Sequence, residues 1–116
     1  MTLPQDAQLL RVFIGEQDKF DGKPLYEALV LEARKMGMAG ATVYRGVLGF
    51  GANSVLHTDK ILRLSQSLPM VVEIVDTPAK IESFLPTLDE MMQEGLVTLE
   101  KARVIIYRHN ESRRRK

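Results

Sequence analysis

The sequence predicts an α+β sandwich in which strands and helices follow in the order β-α-β-β-α-β. Three observations carry that expectation. Two segments repeat apolar residues at helical spacing behind a proline start signal. Runs of β-branched residues stand before, between and after them. Glycines punctuate the joints.

Residues 9–14 (LLRVFI) read as the first strand, stopped at Gly15 and followed by the polar loop EQDKFDGK. Pro24 stands at the expected first helical position. Leu25, Leu29, Ala33 and Met36 then recur at helical spacing, with Glu27, Glu32, Arg34 and Lys35 facing water. Arg34 and Lys35 suit the carboxyl end of the helix dipole, and Gly37 supplies a left-handed stop. Residues 41–48 (ATVYRGVL) predict the second strand, which runs into Gly49, Phe50 and Gly51 and then a loop. Residues 61–66 (ILRLSQ) fit either a strand or a short helix. Residues 70–75 (MVVEIV) predict the third strand, with Met70, Val72 and Ile74 on one face and Val71, Glu73 and Val75 on the other. Thr77 as N-cap and Pro78 as first residue announce the second helix. Its stripe is Ile81, Phe84, Leu85, Leu88, Met91 and Met92, with Gly95 closing it and a kink near Glu82 where Pro86 removes a backbone bond. Residues 103–107 (RVIIY) predict the last strand, with a further short strand near Leu96–Leu99 as an option.

This is the split βαβ, or ferredoxin-like, arrangement, with a long flexible loop between the second and third strands. Two helices cover one face of such a sheet. The other face keeps an apolar set uncovered, and that predicts self-association through it.

At 116 residues the chain fits one domain, 1–110, followed by a basic tail, 111–116, read as frayed. Net charge is +1, yet without Arg113, Arg114, Arg115 and Lys116 there are 12 basic and 15 acidic residues. A body of that sign does not suit nucleic acid. The chain has no cysteine, which excludes disulfides, thiolate metal sites and a cysteine nucleophile. The opening MTLPQDAQLL has no secretory pattern, and no uncharged apolar run reaches membrane-spanning length. A cytoplasmic protein is the expectation.

Catalytic machinery is not legible. His57 and His109 are the only histidines, and neither stands in a pattern with a nucleophile and an orienting carboxylate. His57-Thr58-Asp59 reads as a polar loop triplet, with His57 and Asp59 as weak metal candidates. Gly46, Gly49 and Gly51 form G-x-x-G-x-G, which is neither the dinucleotide fingerprint nor a P-loop. Such glycines could supply positive φ and present backbone N–H groups to an anion, but the spacing by itself favours a bulged or sharply turned strand end. Arg45, Lys60 and Arg63 would add positive charge there.

Gly40-Ala41-Thr42, the strand behind it, Gly49-Phe50-Gly51 and the Leu68-Pro69 step resemble the PII signal-transduction proteins. The closer resemblance is to an uncharacterised PII-like family, domain of unknown function number one hundred and ninety. It rests on 12–16 (VFIGE), 22–27 (GKPLYE), 40–51 (GATVYRGVLGFG), 57–58 (HT), 62–76 (LRLSQSLPMVVEIVD) and 94–98 (EGLVT). The resemblance implies a homotrimer with ligand clefts between subunits, binding an adenine nucleotide and docking a regulatory loop onto a transporter or enzyme. Thr42 matches the PII threonine near the adenine, and Gly49, Phe50 and Gly51 match the loop base beside the phosphates. The chain departs from PII in having Ala52, Asn53 and Ser54 where that family has a phosphate-contacting glutamine and lysine. It also reads GLVTLEK at Gly95 to Lys101, where PII has glycine–aspartate–glycine–lysine. Members of the closer family are often encoded beside fluoride-channel-like membrane proteins, which implies a transport-related role.

The leading expectation is therefore a non-enzymatic regulator that binds a small anion through Thr42, Arg45, Gly49, Phe50, Gly51, Lys60 and Arg63. One alternative is a metal-linked trimer similar to divalent-cation-tolerance proteins, with His57, Asp59 and His109 as ligands. Another is a small enzyme with a site at a subunit interface.

Overall fold

The computed structural model describes residues 6–50 and 68–108. Strand β1 spans Asp6–Gly15 and is followed by a two-residue pair, β2 (Lys19–Phe20) and β3 (Lys23–Pro24). Helix α1 (Leu25–Lys35), β4 (Thr42–Arg45), β5 (Pro69–Asp76), α2 (Pro78–Met91) and β6 (Leu96–Arg103) complete the fold. The main sheet has the order β4-β5-β1-β6 and every pair in it is antiparallel. Strand order and element order together give the ferredoxin-like βαββαβ arrangement.

Alternation along the two central strands decides which face is dry. Leu10, Val12 and Ile14 of β1, with Met70, Val72 and Ile74 of β5, point under the helices and are buried. Leu25, Leu29 and Ala33 of α1 and Ile81, Phe84 and Leu88 of α2 cover them. Both predicted stripes are thus the core-facing ones, with Met36, Leu85 and Met92 at the margin. Full burial of each large side chain contributes about 1.5–3 kcal/mol before ordering costs are subtracted.

The helix ends follow their sequence signals closely. Helix α1 closes on Gly37 at φ +77°, with Gly37 N–H donating to Arg34 C=O and Met38 N–H to Ala33 C=O, a Schellman pair. Pro24 is the N-cap of α1 instead of its first residue. Thr77 caps α2, accepting from Lys80 N–H at 3.2 Å, and Pro78 opens the helix. The helix runs unbroken through Pro86 to Met91. Gly95, at φ +133°, lies beyond the helix end and aims the chain into β6.

Three strand expectations need correction. The last strand is Leu96–Arg103, whereas 104–108 carries no regular structure. The RVIIY run has the stronger intrinsic preference, but pairing with β1 from Phe13↔Leu96 to Asp6↔Arg103 places the strand earlier. The second strand is four residues long, because after Arg45 only the Gly46 N–H still bonds to β5, donating to Pro69 C=O at 2.7 Å. The loop after β1 contains the β2–β3 pair, with Asp21 (φ 51°) and Gly22 (φ 78°) forming its turn. The segment 61–66, the loop and the tail 111–116 lie outside the described residues. Among those described, no helix is long and apolar enough to cross a membrane.

Candidate functional site

The face of the sheet away from the helices is organised in rows set by the strand register. One row is apolar across all four strands: Tyr44, Val71, Phe13 and Leu96 stand side by side. Its two ends are wet, Tyr44 being 52% and Leu96 57% exposed. The next row is polar: Thr42, Glu73, Arg11 and Thr98. Arg11 Nε donates to Glu73 Oε2 at 2.7 Å and its Nη1 to Glu100 Oε1 at 2.6 Å, so one guanidinium joins β5, β1 and β6. The hydrogen bond that Arg11 donates to Glu73 is the largest influence raising the Arg11 pKa above its ordinary value, with partial burial opposing it and the charge of Glu100 adding to it. Beyond this row lie Val75 and Leu9, opposite Glu100.

At the other end of β4 a second cluster forms where β1, β4 and β5 end together. Gly46 and Gly49 lie against the Pro69 ring: a Cβ on Gly46 would sit 2.6 Å from Pro69 Cγ, and one on Gly49 would sit 3.0 Å from it. Neither glycine has positive φ, so close approach to proline is what requires them, and at these two positions the positive-φ option does not apply. Glu16, just past β1, holds the cluster together. Its Oε2 accepts from Arg45 Nη2, its N–H donates to Leu68 C=O at 2.8 Å, and its Oε1 receives the Leu68 N–H in a long 3.4 Å contact. The Glu16 side chain is largely covered while that of Arg45 is more than half exposed.

The sequence-derived site residues are only partly brought together. Arg45 and Gly49 meet at the Glu16–Pro69 cluster, and Phe50 follows them, 72% exposed. Thr42 lies in register with Glu73 on the open face, whereas Arg45, three residues on, belongs to the opposite face by strand alternation. Gly51, Lys60 and Arg63, and the metal candidates His57, Asp59 and His109, lie outside the described residues. Among the described residues, no group of three or more His, Cys, Asp or Glu side chains could hold a metal ion.

Two polar residues that the sequence did not single out have clear structural roles. Asp76 is fully buried, its Oδ2 accepting from Ala39 N–H and its Oδ1 from Thr77 N–H, both at 2.7 Å. It thereby fixes the α1–β4 connection against the start of α2. Glu16 is the other. Its only signal was its place in the VFIGE segment.

A family model described as "Uncharacterized ACR", DUF190, matches residues 7–104, a span that takes in both clusters and all of the sheet except Asp6. The chain belongs to the DUF190 family. Relatives agree. A UPF0166 protein of Aquifex aeolicus is 42% identical over 98 residues, covering 84% of this chain and 92% of that one. A UPF0166 protein of Methanocaldococcus jannaschii is 36% identical over 99 residues, covering 84% and 91%. A further Aquifex aeolicus UPF0166 protein is 35% identical over 98 residues, covering 83% and 94%. The DUF190 description names no activity.

Proposed function

We propose that this DUF190 chain is a PII-like regulator that assembles through its open sheet face, as a homotrimer, and acts by binding instead of catalysis. The observation that carries the reading is the apolar row Tyr44–Val71–Phe13–Leu96, which crosses the sheet on the face away from α1 and α2, with no helix above it among the described residues. Water is a poor neighbour for such a row, and a second copy offers the same surface as cover. The neighbouring Arg11 triad pairs one guanidinium with two carboxylates, so a copy that covers it has to meet one net negative charge. The number three comes from the likeness to PII.

The ligand in this reading is a small phosphate-bearing anion, with an adenine nucleotide as the first class to test. Arg45, at the edge strand and accessible to solvent, is its cationic contact; Gly49 and Phe50 follow beside it. Thr42 and Arg45 lie on opposite faces of that edge strand, which suits a cleft straddling the sheet edge and completed by another copy. Regulation of a membrane transporter or channel is the cellular role that follows.

Light scattering at several dilutions, with calorimetry against ATP, ADP, AMP and cyclic dinucleotides, tests both parts. A trimeric mass and heat from at least one nucleotide are expected. A monomer at all dilutions would end the assembly reading, and no heat from any nucleotide would end the ligand reading.

A further inference from the structure

The Glu16 carboxylate has two partners at the end of β4 and the start of β5, and they are unequally served. Oε2 is engaged closely by Arg45, and Oε1 receives the Leu68 N–H only across 3.4 Å. A charge-assisted bond to guanidinium is the stronger of the two, so the carboxylate sits where Arg45 holds it. Arg45 is also the cation that the proposed function assigns to the anion. An anion and Glu16 therefore seek the same guanidinium.

We propose that Glu16 is a built-in competitor for Arg45, which a phosphate-bearing anion displaces so that the carboxylate passes to the Leu68 N–H. The inference rests on the anion reading of Arg45 and goes beyond it. It makes Glu16 a positioning residue that sets affinity, and it makes the start of β5 sense occupancy. The step is an exchange of hydrogen bonds with charge conserved: Arg45 trades one carboxylate for one phosphate oxygen, and Glu16 trades the guanidinium for a backbone amide. Because Glu16 is largely covered, once released it has a nearby donor in Leu68. Its own N–H stays anchored on Leu68 C=O throughout, which keeps the carboxylate within reach.

Calorimetric titration of ATP into the wild type, Glu16→Gln and Arg45→Gln tests the exchange. Removing the competitor's charge should tighten ATP binding about two- to five-fold, the scale of a partly exposed ion pair. Arg45→Gln should weaken it. A purely structural Glu16 would give equal or weaker binding in Glu16→Gln, and that result overturns the proposal while leaving the anion reading intact. If neither the wild type nor Glu16→Gln binds ATP, the anion reading itself falls. A second measurement needs no variant: in the wild type, ATP should move the Leu68 amide proton resonance downfield as its contact with Glu16 shortens. An unmoved Leu68 amide at ATP saturation overturns the exchange even if Glu16→Gln does not fold.

Discussion

At the residue scale, Asp76 and Gly46 show how little of a side chain's role lies in its type. Asp76 ends β5 with both carboxylate oxygens used on backbone amides and none of its surface in water. Asp76→Ala leaves two part-buried N–H groups without their acceptor at once, so a loss of about 2–4 kcal/mol is expected, read from the shift of a urea unfolding midpoint. Gly46→Ala drives a Cβ into the Pro69 ring and is expected to cost about 1–3 kcal/mol by the same measurement. Gly40→Ala is the control: nothing lies within 4 Å of the added carbon and the backbone is not left-handed, so stability should hold or rise slightly. The sequence makes Gly46 conspicuous and favours a turned strand end, but it does not show the Pro69 ring, since a glycine held by a neighbour's ring and one held by positive φ look alike in one dimension. Asp76 gave no signal, because its two amide partners, Ala39 and Thr77, come together only through the third dimension.

At the element scale, signals local to one segment were legible and those set by pairing were not. Helix α1 was readable from its stripe and from Gly37, whose φ of +77° disfavours any side chain. Gly37→Ala should cost about 1–2 kcal/mol and lower the thermal midpoint by several degrees in a calorimetric scan. Helix α2 was readable for the same reason, through Thr77 and Pro78. Strand β6 falls on the segment that the sequence offers only as an optional short strand near Leu96–Leu99, because LVTLEKAR has fewer β-branched residues than RVIIY. What fixes it is the turn at Gly95 and the reach of Arg11 to Glu100, neither visible within the segment itself. Ile105 and Ile106 are left 74% and 66% exposed as a result. The Arg11 bridge between β5, β1 and β6 has a pH signature. A raised arginine pKa means that its contribution is present below the ordinary arginine value and is lost only as pH climbs past the higher folded-state value. Titrating the protein from neutral to about pH 10 should therefore leave the Arg11 bridge charged, with no unfolding step from it by circular dichroism.

At the scale of the whole molecule, the sheet has a helix-covered face and an open one, and the proposed assembly uses the open one. Tyr44→Asp or Leu96→Asp places a charge at an already wet end of the apolar row. Either is expected to leave the fold standing and to shift a light-scattering mass from trimer toward monomer, whereas Leu31→Asp, on the far helix, should not. The element order was legible as a whole because each β-α-β unit carries its own punctuation, yet the split of Thr42 and Arg45 across the edge strand needed the strand register. That register also governs the order in which a newborn chain can become a protein. The first strand made is an inner one, and its Arg11 waits for partners 62 and 89 residues downstream. Until the ribosome has delivered β6, β1 offers an unzipped margin to whatever passes, so synthesis speed and chaperone traffic bear most heavily on this short first stretch.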